Sequence, residues 1–164
     1  MSLNKVANFL KDQAIKNIDA EERDSFGRSA YNRFYYCSYL EVRGFLSEIE
    51  KGWGDAKHSA IPDILHANFE KKFKSEIKKA QRNSDKELVS ILSNALEATK
   101  FLKSLLEDGY ASRVVADYKP EIKVIFYSNN FSLNAVDVEM AKQWPVKTQT
   151  LVGVIKNAWR HVND

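Results

Sequence analysis

Lys71, Lys72, Lys74, Lys78, Lys79 and Arg82 crowd one short segment against Glu70 and Glu76, the densest positive patch in the chain. Cations at this spacing most often form a solvated face. Their sharper use is a track for a phosphate backbone, with Lys71, Lys74 and Lys78 as the contacts. Arg33 and Arg43 interrupt a strongly aromatic stretch, and a guanidinium flanked by Phe34, Tyr35 and Tyr36 calls for carboxylate, carbonyl or phosphate partners. His58 stands with Trp53 in a glycine-punctuated loop, while His66 and His161 lie elsewhere. Imidazole suits proton transfer near neutral pH, yet a loop histidine is more often a cap or a core contact. Cys37 is the lone cysteine, which excludes an internal disulfide and any all-cysteine metal site; it reads as a small core residue rather than a nucleophile.

Helices must position these groups. In residues 28–46, RSAYNRFYYCSYLEVRGFL, and just beyond, Tyr31, Tyr35, Ser38, Val42, Phe45 and Ile49 recur at spacings of four and three. That is one stripe of an α-helix, and Ala30, Phe34 and Cys37 form a second beside it. Apolar surface around most of a helix has to be enclosed by neighbours, so this helix is central. Asp24 or Ser25 is read as its cap, and Gly52 and Gly54 stop it after about Glu50. Before it, Leu3, Val6, Ala7, Leu10, Ala14 and Ile18 share the apolar face of a surface helix. After it, Ile61, Leu65, Phe69, Phe73 and Ile77 recur every four residues, predicting a basic helix that starts or breaks near Pro62 and runs to Arg82.

Ser84 with Glu87 fits a capping box ahead of Leu88, Ile91, Leu92, Ala95, Thr99, Leu102 and Leu106, in a helix that Pro120 prevents from continuing. Residues 122–127 suit a short extended piece, followed by a loop at Ser128-Asn129-Asn130. Val138, Ala141, Thr148, Val152, Ile155, Trp159 and Val162 place a last long helix over residues 134–162, kinked at Pro145. The sum is an all-α fold, an antiparallel up-and-down helical bundle of four long helices plus one shorter basic helix.

A chain of 164 residues suits a single domain with a sizeable core. The net charge of +3 permits an anionic partner without requiring one. No run approaches the roughly 18 apolar residues of a membrane span, and residues 1–20 carry charges throughout. A cytoplasmic protein with no membrane partner is therefore expected.

Ser29-Ala30-Tyr31-Asn32-Arg33-Phe34-Tyr35-Tyr36, followed by Arg43-Gly44-Phe45-Leu46, resembles a helix of the HEPN superfamily, the higher eukaryotes and prokaryotes nucleotide-binding domain. Small stand-alone prokaryotic members carry S-A-x-x-R-x-Y-Y, then an aromatic and R-x-L-L. His58-Ser59-Ala60-Ile61 is similar to the family's histidine after the second helix. Arg113-Val114-Val115-Ala116-Asp117-Tyr118 is similar to the R-x-x-A-D-Y that closes the third. Residues 135–159 then fall where the family has its last helix, so the resemblance covers about residues 25–160.

The resemblance implies a helical bundle, often a homodimer with a cleft between subunits, and no cofactor or metal. Many members are metal-independent ribonucleases acting as toxins or in phage defence, often beside a nucleotidyltransferase-type antitoxin. In those, an arginine is followed after four to six residues by a histidine, and the pair acts on the RNA phosphate. Here Arg113 is followed at that position by Tyr118, and no arginine has a histidine at that distance. By the resemblance, Arg113 would stabilise the phosphorane charge and Tyr118 would position substrate, since a phenol with its ordinary pKa of about 10 is a poor base at neutral pH. His58 would supply the base if the fold or a partner subunit brings it beside Arg113. Arg33 and Asp117, with Lys71, Lys74 and Lys78, would bind RNA or nucleotide. Tyr118 could instead accept a nucleotidyl group from a partner enzyme, and Arg33 with Asp117 or Glu41 could be only a buried structural ion pair. The missing arginine–histidine pair favours a non-catalytic binding or protein-interaction module, and the multi-block likeness and basic helix keep an RNA-directed activity in play.

Overall fold

The computed structural model describes residues 2–163. The order is α1 (Leu3–Lys16), α2 (Ala20–Ile49), two short 3-10 turns (Lys51–Asp55 and His58–Ala60), α3 (Ile61–Ile64), a π turn (Leu65–Glu70), α4 (Lys71–Arg82), α5 (Lys86–Tyr118), β1 (Ile125–Tyr127), β2 (Asn130–Leu133), β3 (Val136–Asp137) and α6 (Val138–His161). The fold is the all-α helical bundle that the periodicity predicts: α1, α2, α5 and α6 are the long helices and α4 the shorter basic one. Contacts gather the chain into two compact units. One takes residues up to Leu40 with Leu106–Val146, and the other takes Glu41–Leu105 with residues from Lys147 onward.

In the first unit, α2 begins at Ala20, where Asp19 Oδ1 accepts from the Glu21 and Glu22 N–H groups at 3.0 and 2.9 Å. Asp24 and Ser25, the expected caps, lie inside the helix. Of the two stripes, Ala30, Tyr31, Phe34, Tyr35 and Ser38 are buried, while Cys37, expected in the core, is half-buried. At Gly109, α5 comes so close to α2 that a Cβ would lie 2.9 Å from Tyr35 Cδ2. Glycine in a helix interior costs about 1 kcal/mol relative to alanine; here that cost is offset by the packing closed around Tyr35.

Asp24 serves Arg28 instead of a helix end. Arg28 Nε donates to Asp24 Oδ2 at 2.6 Å, and Nη1 donates to the Val115, Ala116 and Lys119 carbonyls at 3.1, 3.1 and 3.3 Å. Nη2 reaches the Pro120 and Ile122 carbonyls, and the other Asp24 oxygen accepts from Val124 N–H at 2.8 Å. The last carbonyls of a helix have no partner within it, so Arg28 caps α5 and ties down the chain that leaves it.

That chain forms an antiparallel meander, β1 against β2 and β2 against β3. The loop expected at Ser128-Asn129-Asn130 is a hairpin turn, and Asn134-Ala135, expected to open the last helix, is a second one. Strands of three, four and two residues are too short for alternation to register in sequence. Asn134 and Ala135 have φ of 49° and 63°, matching the type I′ turn whose twist suits a hairpin. Phe131 and Leu133 anchor the sheet in the core, and Tyr31 Oη donates to the Val136 carbonyl at 2.5 Å. Asp137 then starts α6 by accepting from Glu139 N–H at 2.7 Å, while also accepting from the Tyr127 hydroxyl and from Asn130. Donation by Tyr127 above all holds the Asp137 carboxyl below its usual range, against its partial desolvation.

In the second unit, Val42, Phe45, Leu46, Phe69 and Phe73 are buried, and the Phe69 ring lies 5.4 Å from Phe45 and 4.5 Å from Trp159. The π turn follows from the four-residue repeat. Each four-residue step overshoots an α-helical turn by about 40°, so a plain helix would carry Ile77 about 160° away from Ile61. An i→i+5 turn takes in one extra residue and gives back about 100°. Lys71 N–H accordingly bonds to the His66 carbonyl, and Asn68 Nδ2 donates to the Ile64 carbonyl at 3.1 Å. Ser84, expected to cap α5, has φ 57° and closes α4, with Asp85 N–H reaching back to the Ala80 carbonyl at 2.9 Å. The cap of α5 is Asp85, whose Oδ1 accepts from Leu88 N–H at 3.0 Å.

Arg28→Ala strands Asp24 and the partly buried carbonyls of Val115, Ala116 and Ile122, and should cost about 3 kcal/mol in urea unfolding. Arg33 is exposed, and Arg33→Ala should change stability by less than about 0.5 kcal/mol; equal losses would contradict these roles. A carboxyl with a lowered folded pKa stabilises fully above its unfolded value of about 3.9 and loses that contribution as pH falls through the folded value. Asp137→Asn should therefore flatten the acid limb of the stability profile, measured by thermal unfolding between about pH 2 and 6.

Candidate functional site

The last turns of α5 gather three of the sequence candidates. Arg113 and Asp117 are one turn apart, with Arg113 Nε 2.9 Å from Asp117 Oδ2. The N–H is not aimed along that line, so the contact is an ion pair rather than an aligned hydrogen bond. Asp117 Oδ1 accepts from Asn32 Nδ2 at 2.7 Å, which joins the end of α5 to α2. The Arg113 guanidinium carbon lies 5.4 Å from the Tyr118 ring centroid, within cation–π range. Burial opposes the Arg113 charge, but the Asp117 carboxylate, followed by the Tyr118 and Tyr36 phenols, outweighs it and pushes the pKa above its usual value. Tyr118 is 63% exposed. Asn32 Oδ1 is buried without a hydrogen bond, an uncommon condition in a native interior.

Arg33 follows Asn32 on α2 and is exposed, so it does not need the enclosed partners expected for it. Among the described residues no carboxylate lies within ion-pair distance of it, and the ion pair suggested for Arg33 and Asp117 is made by Arg113. His58 occupies the turn His58–Ala60 and is half-buried. It belongs to the second unit, as do His66 and His161, whereas Arg113, Asp117 and Tyr118 belong to the first. Lys71, Lys74 and Lys78 are exposed on α4.

Sequence reasoning missed Asn32, whose signal was a polar side chain inside an aromatic run. It also missed the pairing of His66 Nδ1 with the buried Glu70, 3.2 Å away across the π turn. Among the described residues no cluster of three or more His, Cys, Asp or Glu side chains is placed to hold a metal ion. Burial pushes the Cys37 thiol pKa up, the opposite of what an activated nucleophile requires.

Comparison with protein-family models, with curated proteins and with solved structures finds no match. The chemistry of the site therefore rests on its own geometry. A guanidinium beside an aromatic ring can bind a phosphate and a base side by side, here only where the phosphate displaces the Asp117 carboxylate from the largely enclosed Arg113.

Arg113 and Asp117 are largely but not fully enclosed, at 16% and 25% side-chain exposure, so their coupling should lie between that of a surface and a buried pair. A double-mutant cycle with Arg113→Ala and Asp117→Ala should return about 1 kcal/mol in urea unfolding. A value near zero would show that the pair does not organise this end of α5.

Proposed function

We propose that this chain is a HEPN-like helical protein of a toxin–antitoxin or phage-defence type system, and that it binds RNA or a nucleotide. One arrangement carries the reading: Arg113, held by Asp117 beside the exposed ring of Tyr118 at the end of α5. The guanidinium pairs with a phosphate and the ring stacks on a base, so each supplies what the other lacks. Asp117 occupies Arg113 in the free protein, and an incoming phosphate competes with that carboxylate. The exposed Arg33 adds a further cation from α2. The order of the sequence blocks supports the same reading.

Binding is favoured over cutting. Removing a 2′-hydroxyl proton needs a base, and no arginine of this chain is followed after four to six residues by a histidine. The partners of this reading are a second copy of the chain and a nucleotidyltransferase-type antitoxin. The Tyr118 hydroxyl is the group that such an enzyme would modify.

Fluorescence anisotropy with a mixed-sequence single-stranded RNA tests the proposal, beside a cleavage assay of the same RNA in EDTA. Arg113→Ala should weaken binding about tenfold, or about 1.4 kcal/mol, and Tyr118→Ala should weaken it through lost stacking, worth about 1–3 kcal/mol per base. The RNA should stay intact. Cutting in EDTA that disappears in folded Arg113→Ala would replace this reading with a metal-independent ribonuclease. Absence of binding to RNA and to nucleotides at low salt would leave a protein-interaction module.

A further inference from the structure

Helix α4, in the second unit, carries a cationic surface of its own. Its charges are not equivalent. Lys72 and Lys79 both pair with Glu76, at 3.2 and 2.9 Å, and Lys74 lies 3.6 Å from Glu70. Both carboxylates are drawn toward the core, Glu70 to 7% and Glu76 to 16% side-chain exposure. Lys71, Lys78 and Arg82 have no carboxylate within ion-pair distance among the described residues, and all are exposed.

At about 100° per residue these three fall within about 20° of one line along the helix, directly opposite Phe73 and Ala80. Phe73 and Ala80 are buried, so the line is the outward crest of α4. Ser75, also exposed, lies beside it. Successive cations are separated along the axis by about 10 Å and about 6 Å.

We propose that Lys71, Lys78 and Arg82 form a track that holds a single RNA strand by its phosphates, without reading its sequence. The proposal rests on the RNA-binding reading above and adds a second contact surface to it. A protein partner would be anchored by aromatic or aliphatic side chains at the centre of the patch, and a membrane surface would require apolar side chains beside the cations. The crest has neither. What it offers is charge in a line, which a phosphodiester strand recognises and which lysine supplies as a point charge on a flexible stem. Lys74, singled out from sequence, is excluded from the track by Glu70, and Arg82 takes its place.

Two triple variants remove the same charge from one helix. The crest variant combines Lys71→Gln, Lys78→Gln and Arg82→Gln; the flank variant combines Lys72→Gln, Lys74→Gln and Lys79→Gln. Each is checked for folding by circular dichroism and titrated with the labelled single-stranded RNA at 50–200 mM salt. Three phosphate contacts on a single strand correspond to a slope of about −2 in log K against log salt. The crest variant should lose about that much slope and bind about tenfold or more weakly near 0.1 M salt, while the flank variant should change by less than about threefold. Equal losses in both variants would overturn the track in favour of diffuse net charge. An unchanged crest variant alongside a weakened Arg113→Ala would overturn the track and leave the RNA reading standing. Failure of the wild type to bind RNA would remove both. Crest-dependent binding to anionic-lipid vesicles or to polyglutamate in that case would assign the surface to a membrane or an acidic protein instead.

Discussion

The organisation of the first unit depends on one guanidinium. Arg28 is 12% exposed, sits two turns into α2 and has Asp24 as its counter-ion. Its donors are shared among carbonyls from Val115 to Ile122, so one side chain ends the longest helix, shapes the chain beyond it and fixes both to α2. Five N–H groups in a planar fork make this feasible, whereas a lysine has three donors and no plane. The carboxylate of Asp24 completes the arrangement by holding Val124 N–H, the point from which the meander departs.

The candidate site inherits its geometry from this clamp. Arg113, Asp117 and Tyr118 occupy the final turns of α5, where a helix ordinarily frays. With the carbonyls of Val115 and Ala116 held by Arg28, those turns have a defined end. The Asn32 amide, one turn along α2 from Arg28, then holds Asp117 from the same helix. The cap of α5 and the hold on Asp117 thus come from residues one turn apart on α2, Arg28 and Asn32.

Periodicity carried the helices into view because each has several turns of apolar residues on one face: Tyr31, Tyr35, Val42 and Phe45 on α2, and Leu92, Ala95, Leu102 and Leu106 on α5, are all buried. It failed where an element was short or a residue served an unexpected neighbour. The strands are too brief for a period of two to show. Ser84 had the right type for a cap but closes the helix before it, in a left-handed conformation where glycine is the commoner choice. Arg28 was read past because its partners lie some ninety residues away and are backbone carbonyls, which leave no mark in side-chain patterns. For the site, the block from Arg113 to Tyr118 stood out only through its resemblance to the R-x-x-A-D-Y pattern, and spacing alone showed no more than that Arg113 and Asp117 lie one helical turn apart. The ionic pairings on α4 follow from i,i+3 and i,i+4 spacing once the helix is granted, but which cations remain unpaired depends on how the two glutamates turn.

The π turn makes the length of the segment from Leu65 to Glu70 matter more than its composition. Loss of one residue there would let the helix revert to ordinary winding, and everything downstream would rotate by about 100° about the axis. Phe73 and Ala80 would swing out of the interior and a lysine edge would be driven toward it. An exchange of lysine for arginine on the outer surface leaves this phase untouched, whereas an insertion or deletion would need a compensating change in the turns around residues 51–60. Point substitution and change of length are therefore unequal events in this helix: the first adjusts how strongly the surface attracts an anion, and the second decides which way that surface points.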